Sequence, residues 1–156
     1  MTPPADTRPG RVAAIYIAPE HGGRPVSRER VTALPAQGLD GDRHFRALGD
    51  TGRDLTLIEA EAIEGLRVDT GIELDPGESR RNVVTREISL NDLVGKRFRV
   101  GPLECRGQAL CEPCRHLERL TQPGVLRGLV HRGGLVAEIL SGGEIAVGDP
   151  VAALSD

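Results

Sequence analysis

The chain has 156 residues and a formal net charge of −3 at pH 7, so no overall positive field attracts it to nucleic acid or to a membrane surface. Aromatic residues make up only 2%, which argues against the stacking surfaces that bind single-stranded nucleic acid. No run approaches the roughly 18 apolar residues of a membrane span, and residues 1–9 lack the apolar core of a signal peptide. We therefore expect a cytoplasmic protein with a flexible N-terminal tail over residues 1–9 and a single domain over residues 10–156.

The first half of the chain alternates short apolar runs with turns rich in glycine and proline. The β-branched and apolar runs predict strands over residues 11–17, 26–34 and 55–58. Apolar residues at helical spacing predict a helix over residues 59–68, which Gly71 ends. Residues 38–54 are polar and rich in Gly, Asp and Arg, and loops of this length are usually functional or disordered. We interpret this stretch as a functional loop.

The second half of the chain also consists of short elements. Strands are predicted over residues 82–85, 96–100, 103–110, 135–140, 144–147 and 151–154, and helical turns over residues 89–93, 113–120 and 125–131. The glycines at 142 and 143 predict a hairpin between the strands over 135–140 and 144–147. Many short strands, few helices and no regular strand–helix alternation favour a mainly β fold, a β-barrel of short strands with a few short helices.

The segment over residues 111–116 is the strongest candidate for chemistry. Pro113 suits the first position of a helix, which would place Cys114 in the first turn. Backbone N–H groups and the helix dipole there favour a thiolate, and Arg115 and His116 add nearby positive charge or donors. Because a thiolate is the form that acts as a nucleophile or metal ligand, the sequence predicts Cys114 as the working thiol.

Three other interpretations of the cysteines remain open at this stage. The small soft side chains could simply fill a tight core. Cys105, Cys111, Cys114 and His116 could hold zinc, although their spacing lacks the two separated pairs usual for structural zinc. Cys111 and Cys114 also have the C-x-P-C form of a redox dithiol, but without the βαβ surroundings of such proteins.

Arg80, Arg81 and Asn82 form a second candidate site just before an apolar strand. Adjacent residues at the start of a strand point to opposite faces, so one arginine would reach into a pocket while the other stays in water. An inward guanidinium beside Asn82 would make a fork for phosphate or carboxylate. The alternative is a solvated pair of surface arginines.

Asp42, Arg43 and His44 form a third candidate site inside the long polar stretch. They follow two glycines and supply an acid, a cation and a titratable ring together. The stretch is not a phosphate-binding loop of the Gly-x-x-x-x-Gly-Lys type. The alternative is a structured turn with aspartate–arginine pairing.

These segments occur in the order and spacing of one family. The matching segments are residues 38–44 (GLDGDRH), 76–84 (PGESRRNVV), 93–95 (LVG), 112–114 (EPC), 133–134 (GG) and 148–151 (GDPV). Each segment alone is common, but the ordered set is specific and covers most of the chain beyond the first strands. The chain resembles the MOSC family, named for the C-terminal domain of molybdenum-cofactor sulfurases, and in particular its small stand-alone bacterial type.

The resemblance implies a mainly β-barrel fold with one functional cysteine, which Cys114 matches here. In the family this cysteine is proposed to carry sulfane sulfur or to bind molybdenum. The resemblance further implies that the arginine–asparagine segment faces the phosphate of the pterin cofactor, and we expect the segment with Asp42 to contribute to the same site. Family members are also associated with pyridoxal phosphate binding, for which Lys96, the sole lysine, is the one possible Schiff-base residue. Cys111 adds a second thiol that could resolve a persulfide or disulfide at Cys114.

Three functions follow as hypotheses. In the first, Cys114 accepts sulfane sulfur from a cysteine desulfurase or another sulfur donor and passes it to a metal–sulfur acceptor protein. In the second, Cys114 ligates the metal of a molybdenum cofactor and the arginine–asparagine segment binds its phosphate. In the third, Cys111 and Cys114 form a redox dithiol.

Overall fold

The computed structural model describes residues 9–20, 23–42, 45 and 54–154. Within these ranges the strands are β1 (Gly10–Ile17), β2 (Val26–Arg28), β3 (Arg30–Leu34), β4 (Gly38–Leu39), β5 (Leu55–Glu59), β6 (Val83–Arg86), β7 (Arg97–Val100), β8 (Leu103–Leu110), β9 (Leu135–Ser141), β10 (Gly143–Ala146) and β11 (Pro150–Ala153). The helices are α1 (Ala60–Thr70), α2 (Arg115–Leu120) and α3 (Val125–Gly128), with 3₁₀ turns over Pro76–Ser79 and Leu90–Leu93. The prediction of a mainly β fold with a few short helices is confirmed.

The main sheet of the described chain closes into a seven-stranded barrel. Its strand order is β11-β7-β8-β9-β5-β6-β1, and β11 also pairs with β1, so that Gly10 lies opposite Val151. β2 extends β1 outside the barrel, and β10, β3 and β4 form a second, small sheet. Closure pairs the backbone groups that would otherwise be left at the two edges of the sheet.

The pair β5–β6 runs parallel, because α1 lies between the two strands in the chain. Parallel neighbours cannot be joined by a tight turn and need a crossover of this kind. Gly71 ends α1 with a left-handed φ of 78° and donates its N–H to the carbonyl of Arg67, as the sequence predicts. No helix in the described ranges is long and apolar enough to cross a membrane.

Two apolar clusters lie on opposite sides of the barrel wall. The inner cluster is aliphatic except for Phe98 and Cys105, both of which are fully buried. The outer cluster packs the three helices against β5 and β6, and includes Ile63 and Leu66 of α1, Leu117 of α2, and Val125 and Leu129 at α3. Because Leu117 is buried in this cluster, α2 and the residues just before it have a fixed place against the barrel.

Two strand predictions are corrected by the pairing. Residues 135–140 and 144–147 do not form a hairpin with each other: β9 pairs with β5 and β8, while β10 pairs with β3. A Cβ at Gly142 would lie 2.7 Å from the carbonyl oxygen of Ala33, so this glycine allows the chain to leave the barrel and pack on the small sheet. The strand predicted over 26–34 is likewise two strands, because β2 pairs with β1 and β3 with β10.

Candidate functional site

Residues 111–114, here named the cysteine loop, connect β8 to α2. The helix begins at Arg115, so the predicted start at Pro113 is wrong. Cys114 is the N-cap residue, with extended backbone angles (φ −134°, ψ 170°) and no capping hydrogen bond from its side chain. Pro113 lies before the helix and is buried, whereas the Cys114 side chain is exposed.

The three cysteines, all within the described residues, have different surroundings. Cys105 lies on β8 in the barrel core, and burial raises the pKa of its thiol to about 12. Cys111 is half-buried and Cys114 is exposed, and none of the three cysteines forms a disulfide. The zinc set that the sequence leaves open is not formed, because no group of three or more His, Cys, Asp or Glu side chains in the described ranges could hold a metal ion.

The Arg81 guanidinium donates hydrogen bonds to backbone carbonyls of the cysteine loop and of Gly133. Its Nε donates to the carbonyl of Gly133 at 2.8 Å and its Nη2 to the carbonyl of Cys111 at 3.0 Å. Longer contacts join Nη2 to the Glu112 carbonyl at 3.4 Å and Nη1 to the Ser79 carbonyl at 3.5 Å. One guanidinium therefore ties together three segments that are far apart in the chain.

Further contacts fix the cysteine loop. The Cys111 N–H donates to the carbonyl of Gly134 at 2.7 Å. The Glu112 carboxylate accepts the backbone N–H of His131 at 2.7 Å and lies 3.0 Å from that residue's ring Nδ1. At Gly133 a Cβ would come within 2.5 Å of the Cys111 carbonyl oxygen, so this close packing requires glycine.

Asn82 joins three strands at the end of the barrel next to this loop. Its Oδ1 accepts hydrogen bonds from the backbone N–H and the hydroxyl of Thr56. Its Nδ2 donates to the carbonyl of Tyr16 at 3.2 Å, and its backbone carbonyl accepts the Tyr16 N–H. The amide therefore sets the relative positions of β1, β5 and β6.

The sequence predicts that Arg80 and Arg81 point to opposite faces, and this prediction is wrong. Both precede β6, and Arg80 has a left-handed φ of 61°, so the alternation of a strand does not apply to them. Arg80 donates from Nη1 to the carbonyl of Gly23 at 2.8 Å. Both guanidiniums are half-buried and line the same cavity.

This cavity, here named the thiol pocket, has a volume of about 200 Å³ and opens beside Cys114. It brings together residues from the ends of β1 and β5, from the arginine–asparagine segment (residues 80–82) and from the start of α2. Its lining includes Tyr16, Asp42, Asp54, Thr56, Arg80, Arg81, Asn82, Cys114, His116 and Leu117. An exposed thiol, two guanidiniums and two carboxylates thus share one small cavity.

Five of the predicted site residues meet in the thiol pocket: Cys114, Arg80, Arg81, Asn82 and Asp42. Cys111 lies in the adjoining loop. Arg43 and His44 lie outside the described residues. Binding of a cofactor by any of them remains a prediction.

Sequence reasoning missed Asp54 and Tyr16. Asp54 Oδ2 accepts the N–H of Ile139 at 3.0 Å, and Tyr16 packs against Gly77, where a Cβ would lie 2.8 Å from its ring. The sequence feature that could have identified Asp54 is its position at the end of the polar stretch, immediately before β5. Lys96 is exposed just before β7 and is not part of the lining of the thiol pocket.

The fold is similar to that of several solved structures. The YUAD protein from Bacillus subtilis superposes with a TM-score of 0.81 at 17% identity, covering 94% of this chain and 96% of that one. YiiM from Geobacillus stearothermophilus has a TM-score of 0.70 at 16% identity, covering 94% of this chain and 76% of its own. YiiM from Escherichia coli has a TM-score of 0.69 at 16% identity, with coverages of 94% and 70%.

At these identities the likeness is one of fold. No curated protein sequence matches the chain closely enough to count as a relative. The sequence model of the MOSC domain, however, matches residues 40–152, which is well over half of the chain. That range contains β5 to β10, most of β11, the arginine–asparagine segment and the cysteine loop. The chain therefore belongs to the MOSC domain family.

Proposed function

We propose that this protein is a sulfur carrier that holds a sulfur atom as a persulfide on Cys114. The observation on which this depends is that Cys114 is the exposed thiol among the three cysteines and lies at the thiol pocket. A group that must meet a donor and then an acceptor has to be reachable from solvent. Cys105 fails this requirement because it is buried in the barrel core, and burial raises the pKa of its thiol to about 12.

The transfer needs one nucleophilic thiolate and no oxidant. The Cys114 thiolate attacks the terminal sulfur of a persulfide on the donor, such as a cysteine desulfurase. The sulfur–sulfur bond of the donor breaks, the donor thiolate leaves and takes up a proton, and the terminal sulfur stays on Cys114. A metal–sulfur acceptor protein then receives this sulfur.

The contacts of Arg81 support a carrier with a fixed thiol. Because its guanidinium binds carbonyls of the cysteine loop at 3.0 and 3.4 Å, the backbone next to Cys114 is held against the barrel. A fixed loop presents the thiol in one place and lowers the entropic cost of meeting the donor.

Incubation with a cysteine desulfurase and cysteine tests the proposal. The chain should gain about 32 Da, the mass of one sulfur atom, and peptide mapping should locate the gain at Cys114. An adduct confined to Cys105 or Cys111 contradicts the proposal, as does a chain that gains no mass while a known acceptor in the same mixture does.

A second candidate is favoured by the pocket itself: a molybdenum cofactor with Cys114 as metal ligand. The residues fit such a group at two points. Cys114 offers a soft thiolate at the rim, and Arg80 offers a guanidinium of the kind that binds phosphate. Arg81 and Asn82 make most of their contacts to the protein's own backbone, so they would shape the site more than they would bind the group. When bound, the metal would supply redox chemistry that the side chains lack.

Metal analysis and a visible spectrum of protein made in a molybdenum-replete host test this candidate. It predicts bound molybdenum with a thiolate-to-metal absorption band in the native protein, and loss of both in Cys114→Ser. Protein that lacks molybdenum, or Cys114→Ser that retains it with an unchanged spectrum, contradicts it.

A further inference from the structure

The two short helices that follow the cysteine loop carry an excess of positive charge. Residues 114–130 contain a single carboxylate, Glu118, and three arginines, Arg115, Arg119 and Arg127, whereas the whole chain has a net charge of −3. Two of the arginines lie on α2 and the third lies on α3, and all three are exposed. These three arginine side chains are here named the arginine face.

The carboxylate of this segment is used within the protein. Glu118 Oε1 accepts the backbone N–H groups of Gly124 at 3.0 Å and Leu126 at 3.1 Å, and so holds the start of α3 against α2. Within the part of the chain that the structure describes, no guanidinium of the arginine face forms a hydrogen bond or an ion pair. The arginine face therefore presents its positive charge to solvent.

The carboxylates on the neighbouring elements have other partners. In the cysteine loop, Glu112 lies 3.0 Å from the ring Nδ1 of His131 and accepts that residue's backbone N–H. On α1, which packs against α3, Asp69 pairs with Arg132 at 2.9 Å. Neither carboxylate pairs with the arginine face, so its charge is available to a binding partner.

The charges on α2 do not favour the helix itself. Arg115 is its first residue, where the positive end of the helix dipole disfavours a cation. Arg119 follows one turn later on the same side of the helix, and like charges at this spacing repel each other. Residues that break a local rule without a gain for folding are typical of functional surfaces. The arginine face therefore has the character of a binding surface.

The arginine face lies directly beside the exposed thiol. Arg115 follows Cys114 in the chain, so a partner that reaches the thiol also meets this face. Side chains four residues apart on a helix are separated by about 5–6 Å. Alternate side chains of an extended segment are separated by roughly 6–7 Å. An extended segment with carboxylates at alternate positions can therefore contact Arg115 and Arg119 together.

We propose that the arginine face is the docking surface for the sulfur donor, and that the donor is a protein whose persulfide cysteine lies on an extended segment flanked by carboxylates. The carboxylates bind Arg115 and Arg119 while the terminal sulfur lies beside Cys114. Because the chain as a whole is negatively charged, attraction to an acidic segment is local to this face and orients the donor. This inference rests on the proposed function and adds the surface and the charge of the donor.

The transfer from the docked segment balances without a further reactant. The Cys114 thiolate attacks the terminal sulfur of the persulfide, and the sulfur–sulfur bond of the donor breaks. The donor cysteine leaves as a thiolate and takes up a proton from water. Cys114 keeps the transferred sulfur with its hydrogen as a persulfide.

Three peptides that differ only in charge test the inference on the unaltered protein. Each has one central cysteine as a persulfide, made by cleaving the symmetric disulfide of the peptide with sulfide, and its flanking residues are all glutamate, all serine or all lysine. The rate of the gain of about 32 Da at Cys114 is measured for each peptide at low ionic strength. Each rate is divided by the rate with 2-mercaptoethanol, a neutral thiol, to remove differences in the intrinsic reactivity of the persulfides.

The glutamate peptide should react about tenfold faster than the lysine peptide, with the serine peptide between them. Two or three exposed charge contacts together contribute roughly that factor. In about 1 M salt, where the Debye length is about 3 Å, the three normalised rates should converge.

Arg119→Glu should remove most of this preference. It should leave the rate with the serine peptide within about twofold, because that peptide has no charged side chain to meet the new carboxylate. Arg99→Glu is the matched control, since it makes the same change in net charge at an exposed residue of β7. Arg99 lies opposite Glu104, near the start of β8, whereas the cysteine loop follows the end of β8. This control should retain the preference for the glutamate peptide.

Equal normalised rates for the three peptides at low ionic strength overturn the inference, as does a preference that Arg119→Glu leaves unchanged or that Arg99→Glu removes equally. In each of these cases the sulfur carrier survives if a desulfurase still loads Cys114. A chain that accepts sulfur neither from a desulfurase nor from any of the three peptides overturns the proposed function as well.

Discussion

Replacing Arg81 with methionine should loosen the cysteine loop and destabilise the fold. Methionine has a similar length but no donors, so the carbonyls of Gly133 and Cys111 lose their hydrogen bonds of 2.8 and 3.0 Å. Hydrogen bonds from a charged donor contribute about 1.5–3 kcal/mol each, and water partly replaces them at a half-buried site. The expected loss in the free energy of unfolding is therefore about 2–4 kcal/mol.

In a chain of this size each kcal/mol lowers Tm by about 2–4 °C, so Arg81→Met should melt about 5–15 °C below the native protein. Thermal denaturation followed by circular dichroism measures this difference. Arg67→Met is the control, because the Arg67 side chain is 70% exposed and pairs with Glu73, which is also exposed. Its effect should stay within about 0.5 kcal/mol.

The experiment distinguishes a structural role of Arg81, in holding the cysteine loop, from a role in binding an anion. If Arg81 holds the loop, Arg81→Met has a lower Tm than the native protein both with and without phosphate. The backbone amide hydrogens of residues 111–114 should then also exchange faster. If Arg81 only binds anions, Arg81→Met and the native protein should have equal Tm values without phosphate, and should differ when phosphate is added. The second result would refute the role that we assign to Arg81.

Three further predictions concern Glu59, the thiols and Gly133. Burial raises the pKa of Glu59 above its ordinary value of 4.5, so its charged form destabilises the folded state at neutral pH. Glu59→Gln should raise Tm at pH 7, with a gain that shrinks as the pH falls through the raised pKa toward 4.5; a gain that is constant with pH would contradict this cause. In alkylation followed by mass spectrometry at pH 7, Cys114 should react first and Cys105 last, and a faster Cys105 would contradict its burial. Gly133→Ala would place a Cβ 2.5 Å from the Cys111 carbonyl oxygen and should cost about 1–3 kcal/mol in chemical denaturation, whereas an unchanged midpoint would mean that the packing is looser.

Local patterns were enough to predict most elements of the barrel. The strand predicted over residues 96–100 corresponds to β7 (Arg97–Val100), in which Phe98 lies opposite Cys105 of β8. The end of α1 at Gly71 also follows from local chemistry, because the left-handed backbone conformation that ends the helix favours glycine. These features depend on neighbours in the chain, which a sequence pattern contains.

Features that depend on distant segments could not be predicted in the same way. Gly142 and Gly143 have the pattern of a hairpin, but β10 pairs with β3, more than a hundred residues earlier in the chain. The side chain of Arg81 is directed by a carbonyl 52 residues away, at Gly133. The pattern indicated that Arg81 belongs to a site, yet only the fold reveals that its guanidinium binds backbone carbonyls.

We propose Cys114 as the single sulfur-accepting thiol, and a comparison of two cysteine variants tests this role. Cys111→Ser and Cys114→Ser are each incubated with a cysteine desulfurase and cysteine, and the fraction of chains that gain about 32 Da is measured by intact mass spectrometry. A carrier needs one thiolate, whereas a dithiol needs the second sulfur to resolve its intermediate. We expect a full adduct on Cys111→Ser and none on Cys114→Ser. Equal loss in both variants would favour the dithiol, and an adduct retained by Cys114→Ser would remove Cys114 from the mechanism.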